Sequence, residues 1–358
     1  MIGVLTTSYP RFPGDAAGVF VRERVRALLA QGNAVEVVAA SGRGGAACDG
    51  MVTRIAAGRL FYEGGAPEAL ESPNAMARLM ALGQAARFTL AMLRAIGERG
   101  HRWDAVESHW LVPCGLLACA ALPRLPHRAH VHGGDVFLLA RMPAGDSMGR
   151  VLCRHRPTLV FASQSLHDKF SAIIGTSPAS LGAGCLVEPA PFDTQVFYRR
   201  SGNERMRLRL ALGFTRPTLL AAGRLVPIKG FDALVAALAQ VPAAGRPDLV
   251  IAGEGPEKAL LAKQAREAGV SLRLTGQVGQ RALAELMAAA DLLVHPCRML
   301  VNGRSEGMPL VVREALACGL PVIASQSGGL GEMRGTHGLT LVDSEGGLLH
   351  AIVRILGE

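Results

Sequence analysis

Short apolar segments alternate with helical segments along most of the chain, and the alternation occurs twice. In the first half, the apolar run 2–8 is followed by a loop, a helical segment at 19–30 and a second apolar run at 34–40. In the second half, the same order begins again with the apolar segments 218–222 and 248–252. Parallel strands need a crossover connection, so this order predicts parallel sheets covered by helices. The sequence therefore predicts an α/β protein with two such sheets.

A proline-rich and then polar segment, 184–205, separates the two halves. Such a change of composition between two apolar rhythms is typical of a domain edge. We place the boundary near residue 198, which gives domains 1–198 and 199–358. The chain of 358 residues is long enough for two hydrophobic cores. Aromatic residues make up only 4% of it, so the cores must consist mainly of Ala, Leu and Val.

The chain has a formal charge of +9, and almost all of its cations are arginines. A compositional bias towards arginine explains this charge by itself. Attraction to anionic lipid or to an anionic sugar donor is the functional alternative. The sequence contains no recognised nucleic-acid-binding module and no interleaving of basic and aromatic residues, so we expect no nucleic-acid partner.

Seven cysteines are scattered along the sequence and never form a C-x2-C pair. This spacing indicates reduced, mostly buried thiols, and favours neither a disulfide framework nor a zinc site. The chain begins with a strand-like run rather than a signal peptide. We therefore expect a cytoplasmic protein, with peripheral contact at the inner membrane surface as an additional hypothesis.

Residues 74–98 predict a long helix that is apolar on more than one side. Packing in a core is the simpler explanation of such a helix, and a face lying on a membrane is the alternative. The most apolar stretch, 111–122, contains Pro113 and is too short to span a bilayer. The sequence alone leaves the surroundings of the long helix open.

The stretch 306–314 combines two carboxylates, Glu306 and Glu314, with a predicted helix N-terminus. An apolar run that begins at Leu310 predicts the helix, with Pro309 at its first position. The first N–H groups of a helix have no partner inside it, and with the helix dipole they bind phosphate or polarised sugar oxygens. A carboxylate on each side of these donors suits an anionic ligand that carries hydroxyl groups at both ends, as a nucleotide sugar does.

Two loops of the second half place glycines and cations after predicted strands. Arg224 and Lys229 follow the segment 218–222, and the turn that begins at Gly253 follows 248–252. Arginine offers a bidentate fork and lysine a mobile point charge, so the two cations would neutralise a diphosphate without a metal ion. Solvated surface positions for both cations are the alternative.

Two positions of the first half are candidates for ligand contact. Gly18 ends a loop rich in turn-forming residues, where the missing side chain lets the backbone approach a bound group. His132 ends a predicted strand, and ligands of open α/β sheets bind beyond such ends. The strand interpretation assigns His130 to the opposite face and to the core. The segment 42–47 matches the dinucleotide fingerprint only superficially, because it follows the second strand and precedes no helix.

Three segments of the second half resemble, in the expected order, the retaining glycosyltransferases of family 4, also called group 1. They are Gly223-Arg224 with Lys229-Gly230, Gly253-Glu254-Gly255-Pro256, and the E-x7-E pair of Glu306 and Glu314. The first half resembles the family more loosely, at Gly18, His132 and Asp193. The resemblance covers nearly the whole chain. It implies the GT-B fold, in which two Rossmann-like domains face each other across an interdomain cleft that holds the donor.

The resemblance also implies roles for the site residues. Glu306 would hold hydroxyl groups of the transferred sugar, and Glu314 would hold the ribose hydroxyls. His132 would contact the donor sugar, and Gly18 would lie against the diphosphate. With Arg224 and Lys229, His132 and Glu306 form the predicted catalytic set. The other residues implied at the donor either flank the base or lie in the backbone turns: Gly253, Gln277, Val278, Gly307, Met308, Pro309 and Leu310.

The implied reaction moves a sugar, with retention of configuration, from a UDP- or GDP-sugar to a lipid-linked, saccharide or small-molecule acceptor. No metal and no cofactor is expected, because the two cations neutralise the leaving diphosphate. Glu306 is not expected to be a covalent nucleophile; the departing phosphate oxygen would take the acceptor proton instead. The alternatives are a non-catalytic sugar-nucleotide-binding protein, and a sugar-nucleotide epimerase or a phosphorylase of related shape.

Overall fold

The computed structural model describes residues 1–12, 14–41, 47–56, 74–301, 303–343 and 345–357. The chain forms two compact units, Met1–Pro191 and Phe192–Glu358. Each unit contains a mainly parallel sheet with helices, which confirms the predicted fold class. Most of the glycine-rich segment 42–47 lies outside the described residues.

The first unit contains an eight-stranded sheet in the order β3-β4-β2-β1-β5-β6-β7-β8. All neighbouring strands are parallel except β3 and β4, which are antiparallel. The strands are β1 (Ile2–Thr6), β2 (Val35–Ala40), β3 (Ala47–Asp49), β4 (Val52–Ile55), β5 (Ala105–His109), β6 (His127–Val131), β7 (Thr158–Phe161) and β8 (Gly184–Val187). The α-helices described in this unit are α1 (Val19–Ala30), α2 (Ala75–Arg99), α3 (Leu116–Ala121), α4 (Gly134–Arg141), α5 (Gly145–Arg154) and α6 (Gln164–Ile174).

The second unit contains a parallel six-stranded sheet in the order β11-β10-β9-β12-β13-β14. Its strands are β9 (Thr218–Ala222), β10 (Asp248–Ala252), β11 (Leu272–Gly276), β12 (Leu292–His295), β13 (Val322–Ser325) and β14 (Leu339–Val342). Its described α-helices are α7 (Gly202–Leu212), α8 (Phe231–Ala239), α9 (Lys258–Glu267), α10 (Gln280–Ala289), α11 (Leu310–Ala317) and α12 (Glu345–Gly357).

Alternation along the strands gives each sheet two buried faces. In the first unit, Val4 packs with Val37 and with α1, while Leu5 packs with Val38 on the face that α2 covers. These side chains are fully buried, because a parallel sheet is covered by helices on both sides. The second unit likewise has a separate cluster of buried residues on each face of its sheet.

The division between the units falls between Pro191 and Phe192, whereas the sequence predicts a boundary near residue 198. Phe197 explains the difference, because this side chain is fully buried in a core cluster of the second unit. Phe192 and Val196 pack against the same cluster. The segment predicted to end the first domain therefore contributes apolar side chains to the second core.

In each sheet, the first strand of the unit lies in the interior, between the strand that follows it in the chain and a strand from later in the unit. β1 lies between β2 and β5, and β9 lies between β10 and β12. The chain builds the sheet in one direction, then returns and continues in the other. Ligands of open α/β sheets bind beyond the carboxyl ends of the strands at this reversal. Each unit thus has one preferred location for a ligand.

Candidate active site

The loops that follow β9, β10 and β11 are joined by main-chain hydrogen bonds. The N–H of Gly223 donates to the carbonyl of Ala252 at 2.9 Å, and the N–H of Gly253 donates to the carbonyl of Gly276 at 2.9 Å. A Cβ on Gly253 would lie 1.8 Å from the carbonyl oxygen of Gly223, at a φ of +157°. Only glycine fits there, so Gly253 holds two loops in close contact at the predicted ligand edge.

Lys229 and Glu306 form an ion pair at this edge. Lys229 Nζ lies 3.0 Å from Glu306 Oε1, and the two side chains are only 15% and 17% exposed. Burial by itself would raise the pKa of Glu306, but the charge and the hydrogen bond of Lys229 oppose it, and the pKa lies below its ordinary value. The structure therefore brings together two predicted site residues and keeps Glu306 ionised.

Two glycines of the loop after β13 fix the backbone around Glu306. A Cβ on Gly328 would lie 1.8 Å from the carbonyl oxygen of Glu306. The N–H of Gly329 donates to the carbonyl of Gly307 at 2.8 Å. The predicted Gly307–Leu310 turn is thus held from a neighbouring strand end, which fixes the position of the carboxylate before any ligand binds.

Helix α11 begins at Leu310, as the apolar run predicts, but Pro309 does not occupy its first helical position. Pro309 has φ −69° and ψ 120°, an extended backbone, so it precedes the helix and does not form its first turn. In the described residues, no side chain caps this N-terminus. The first-turn N–H groups of this eight-residue helix therefore have no side-chain acceptor among those residues and remain available to an anion, as the predicted site requires.

Glu314 is buried in the second turn of α11, with 5% exposure. Burial raises the pKa of its carboxyl to about 7, and Arg313 only partly opposes this rise. A carboxyl that is close to neutral in the folded protein either donates to or accepts from a hydroxyl group. Its predicted contact with ribose hydroxyls stays a prediction.

The Glu314 carboxyl gives the fold a pH dependence that we expect Glu314→Gln to remove. A carboxyl with a raised pKa binds its proton more tightly in the folded state, so the wild type loses stability as pH rises from about 4.5 to about 7. The loss amounts to about 3 kcal/mol at most. Urea unfolding at pH 4.5 and pH 8 measures it, with Glu285→Gln, an exposed position, as the control. A Glu314→Gln variant that is no more stable than wild type at pH 8 would contradict the assignment.

Sequence reasoning missed His295, at the end of β12. The side chain is fully buried, and neither ring nitrogen has a hydrogen-bond partner among the described residues. Burial and the charge of Lys229 lower its pKa to about 3, although Glu306 opposes them. A neutral imidazole thus lies near the ion pair. The sequence does contain a signal for His295, because this residue ends a strand and precedes a proline. The same kind of position, at the end of a strand, led to the prediction for His132.

The remaining donor-side residues have less defined contacts. Arg224 is exposed after β9, and Gln277 is exposed after β11. Val278 packs against a core cluster of the second unit, so its side chain has a structural role besides any contact with a base. Met308 is half-buried beside Glu306. For Arg224, Gln277, Val278 and Met308, donor binding remains a prediction.

In the first unit, Gly18 follows β1 and precedes α1, and His132 follows β6, one strand beyond the reversal between β1 and β5. Gly18 is left-handed, with φ +70°, and a Cβ there would lie 2.3 Å from the carbonyl oxygen of Ser8. It immediately precedes α1, whose Phe20 ring packs 4.6 Å from the His132 ring. Trp110 contacts the same imidazole at 4.9 Å. The structure therefore groups both first-half candidates around one aromatic cluster.

A second histidine holds His132 in place. His109 Nδ1 lies 3.0 Å from His132 Nε2, and His109 Nε2 is buried without a partner among the described residues. Burial and the nearby His130 lower the pKa of His132 to about 3. His132 is therefore neutral near pH 7, and in the contact between the two rings one nitrogen donates and the other accepts.

His130 is buried, as predicted, but its predicted direction is wrong. Its ring is parallel to that of His132 within 8°, with centroids 6.3 Å apart. Residues two positions apart on a strand share a face, which accounts for this arrangement. His130 Nε2 lies 3.0 Å from Glu107 Oε2, so the histidine faces a carboxylate rather than an apolar core.

Glu107, His109 and His130 have potential metal-ligand atoms within 4.8 Å of one another. The carboxylate is already occupied, because Arg24 donates from Nε at 2.9 Å to one oxygen and from Nη2 at 2.5 Å to the other. Burial opposes ionisation, yet the hydrogen bonds from His130 and Arg24 lower the pKa of Glu107 to about 2. We assign this cluster to an ion-pair network that supports the neighbouring rings, and not to a metal.

Two successive units, each with a mainly parallel sheet whose order reverses at its first strand, are the features of the GT-B fold. The Anabaena protein HepE, solved in complex with UDP and glucose, aligns with a TM-score of 0.68 and 22% identity. The alignment covers 100% of this chain and 90% of that one. At this level of identity the likeness shows the fold alone.

Within that class, the chain belongs to the group 1 glycosyltransferases. Residues 216–358 match the family model described as "Glycosyl transferases group 1". The chain is 30% identical over 345 residues to the D-inositol 3-phosphate glycosyltransferase of Jonesia denitrificans, a match that covers 88% of this chain and 77% of that protein.

A second relative is the GDP-mannose-dependent monoacylated alpha-(1-6)-phosphatidylinositol monomannoside mannosyltransferase of Corynebacterium glutamicum. It is 32% identical over 209 residues, which cover 57% of this chain and 53% of that protein. The matched part of this chain thus spans about half the length of that relative.

Proposed function

We propose that the chain is a retaining glycosyltransferase that transfers a sugar from a nucleoside-diphosphate donor to an acceptor hydroxyl group. The observation that carries the proposal is the 3.0 Å ion pair between Lys229 Nζ and Glu306 Oε1, placed where the second sheet reverses. The ammonium group has donors left for a diphosphate oxygen, and the carboxylate has lone pairs left for sugar hydroxyls. Membership of the family supports the same assignment.

Breaking the bond between the anomeric carbon and the diphosphate oxygen moves negative charge onto the leaving group. Lys229 is fixed beside the site in advance, and the first-turn N–H groups of α11 supply a second source of positive potential. Donors that are oriented before the reaction usually lower the barrier of such a step more than any other single effect. We propose that these groups, with Arg224, neutralise the diphosphate and that the reaction requires no metal ion.

Retention of configuration follows, in this proposal, from attack by the acceptor on the face that the leaving group departs from. The departing phosphate oxygen takes the acceptor proton. Glu306 is tied to Lys229, which makes its carboxylate a poorer nucleophile and a better partner for a hydroxyl group. His132, a neutral imidazole, binds a sugar hydroxyl.

The donor and the acceptor are proposed by class. The Corynebacterium relative is named for GDP-mannose and HepE was solved with UDP, so we propose a UDP- or GDP-sugar. Both relatives are named for inositol-containing substrates, and we propose a lipid-linked, saccharide or small-molecule polyol as the acceptor. The described cysteines are free thiols, which supports a cytoplasmic location.

A thermal-shift panel of nucleotide sugars tests the donor class. A donor at 100 times its dissociation constant stabilises the fold by about 2.7 kcal/mol, and we expect a UDP- or GDP-sugar to raise the Tm by several degrees. The stabilising donor is then incubated with candidate polyols, with and without EDTA. Transfer that is lost with EDTA and restored by magnesium would contradict the metal-independent mechanism. No stabilisation by any member of the panel would contradict the donor site.

The product distinguishes the alternatives. A sugar-nucleotide-binding protein without catalytic activity would be stabilised by donor yet release no nucleoside diphosphate with any acceptor. An epimerase would convert the donor into an isomer in the absence of acceptor. The pairing of Lys229 with Glu306, shortly before a helix N-terminus, favours transfer in this proposal, because fixed positive groups stabilise the charge that develops on a leaving diphosphate.

A further inference from the structure

The longest described helix, α2 (Ala75–Arg99), carries two apolar stripes on opposite sides. The inner stripe is buried against the first sheet and consists of Ala81, Phe88, Met92, Ala95 and Ile96. The outward stripe faces solvent and consists of Leu79, Leu82, Ala86, Leu90 and Leu93. Leu79, Leu82 and Leu90 are 64%, 57% and 69% exposed. A helix that needed only to pack on its sheet would carry polar residues on this outer side.

The spacing of the outward stripe follows the helical period. Successive members are three, four, four and three residues apart, so they lie on one side of the helix over a length of about 20 Å. Arg78 and Arg87 are exposed beside the stripe, while Arg94 pairs with Glu98, the single acidic residue of the helix, at 2.9 Å. The outer side of α2 therefore combines an apolar ridge with positive flanks.

We propose that the outward stripe of α2 docks on an anionic lipid surface, with the helix lying in the plane of the headgroups. The combination of leucines and flanking arginines is the pattern of an interfacial helix. A second copy of this chain would bring its own arginines against these, whereas anionic headgroups neutralise them. The inference is independent of the proposed glycosyl transfer, because binding to vesicles requires neither donor nor acceptor.

The helix lies on the membrane and does not cross it. Residues Ala75–Arg102 are long and apolar enough for a span by length and composition. However, Phe88 and Met92 are fully buried in the core of the first unit, and a crossing would expose that core. The docked orientation leaves every core contact in place and buries only side chains that are already exposed.

Co-sedimentation of the full chain with vesicles tests the proposal, using phosphatidylcholine vesicles with and without phosphatidylglycerol. We expect binding to the anionic vesicles at low salt, and weak binding to the neutral ones. Leu82→Gln with Leu90→Gln should weaken binding by about tenfold or more, because each leucine loses apolar burial. The matched control is Leu210→Gln with Leu260→Gln, two leucines that are 72% and 48% exposed on helices of the second unit, and it should bind as wild type.

Two further measurements test the role of charge and the oligomeric state. Arg78→Gln with Arg87→Gln should weaken binding roughly fivefold per arginine at low salt, and salt should weaken wild-type binding in the same direction. Circular dichroism confirms that each variant is folded. The proposal is overturned if wild type ignores anionic vesicles, or if the leucine variant binds them as well as wild type. It is also overturned if wild type is a dimer that the leucine variant converts into a monomer, with no vesicle binding by either.

Discussion

Replacing Lys229 by Ala is expected to reduce sugar transfer by roughly 10²-fold, the effect of removing one oriented charge donor from a transition state. It also leaves the mostly buried carboxylate of Glu306 without its partner. Breaking a buried ion pair in this way costs about 3 kcal/mol of folding free energy. Turnover with a saturating donor and urea unfolding measure the two effects separately.

The two effects of Lys229→Ala can be separated within the same protein. The double variant Lys229→Ala with Glu306→Gln removes the uncompensated charge, so we expect its stability to return towards wild type while transfer stays low. Lys258 and Glu254 form an exposed pair at 2.8 Å, and Lys258→Ala is the matched control, with an expected cost below about 1 kcal/mol. Wild-type turnover in the folded Lys229→Ala protein would remove this lysine from the mechanism.

The elements that the sequence predicts well are those held by apolar periodicity. The helix predicted at 19–30 is observed as α1 at Val19–Ala30, and the strand predicted at 248–252 is observed at Asp248–Ala252. The helix buries apolar side chains against the first sheet, and the strand contributes Leu249 and Ile251 to a core cluster of the second. For such elements the pattern of apolar residues is the physical cause of the structure, so it is also a reliable signal.

Helix α7 (Gly202–Leu212) is not predicted from the sequence, for the opposite reason. None of its residues is buried, and only Leu208 and Leu212 pack in part against the core, so its apolar signal is weak. It is held by a capping box between Ser201 and Glu204 and by ion pairs from Arg205 and Arg209 to Asp291. The capping box is readable from the spacing of Ser and Glu. The pairing with Asp291 is not, because it joins positions that are far apart in the chain.

Some features of the candidate site are likewise predicted from local sequence, whereas others depend on the fold. The turn around Glu306 and the loop of Lys229 are predicted as separate features, each from local glycines and charges. Their 3.0 Å contact depends on β9 and β12 being neighbours in the sheet, which local patterns do not encode. The same holds for His109, which supports His132 from the adjacent strand β5. The order of the strands in each sheet therefore determines which predicted residues come into contact.

Replacing Glu306 by Gln is expected to leave the fold intact and to reduce transfer by about 10²-fold. Glutamine keeps the shape of the side chain and an oxygen for Lys229, but it loses the charge that orients sugar hydroxyls and the ammonium group. We expect the loss mainly in kcat, because a contact that strengthens as the sugar becomes cationic acts on the transition state. Glu285→Gln, at an exposed position of α10, is the control and should transfer as wild type.

The same position decides between the two mechanisms that paired carboxylates suggest. If Glu306 were a covalent nucleophile, Glu306→Ala with added azide would regain activity and give a glycosyl azide of inverted configuration, because azide would replace the carboxylate as the attacking group. We expect no rescue, since Lys229 already holds the carboxylate as its ion-pair partner. Recovery of an inverted azide product would show that Glu306 attacks the sugar, and wild-type transfer by Glu306→Gln would place the carboxylate outside the reaction.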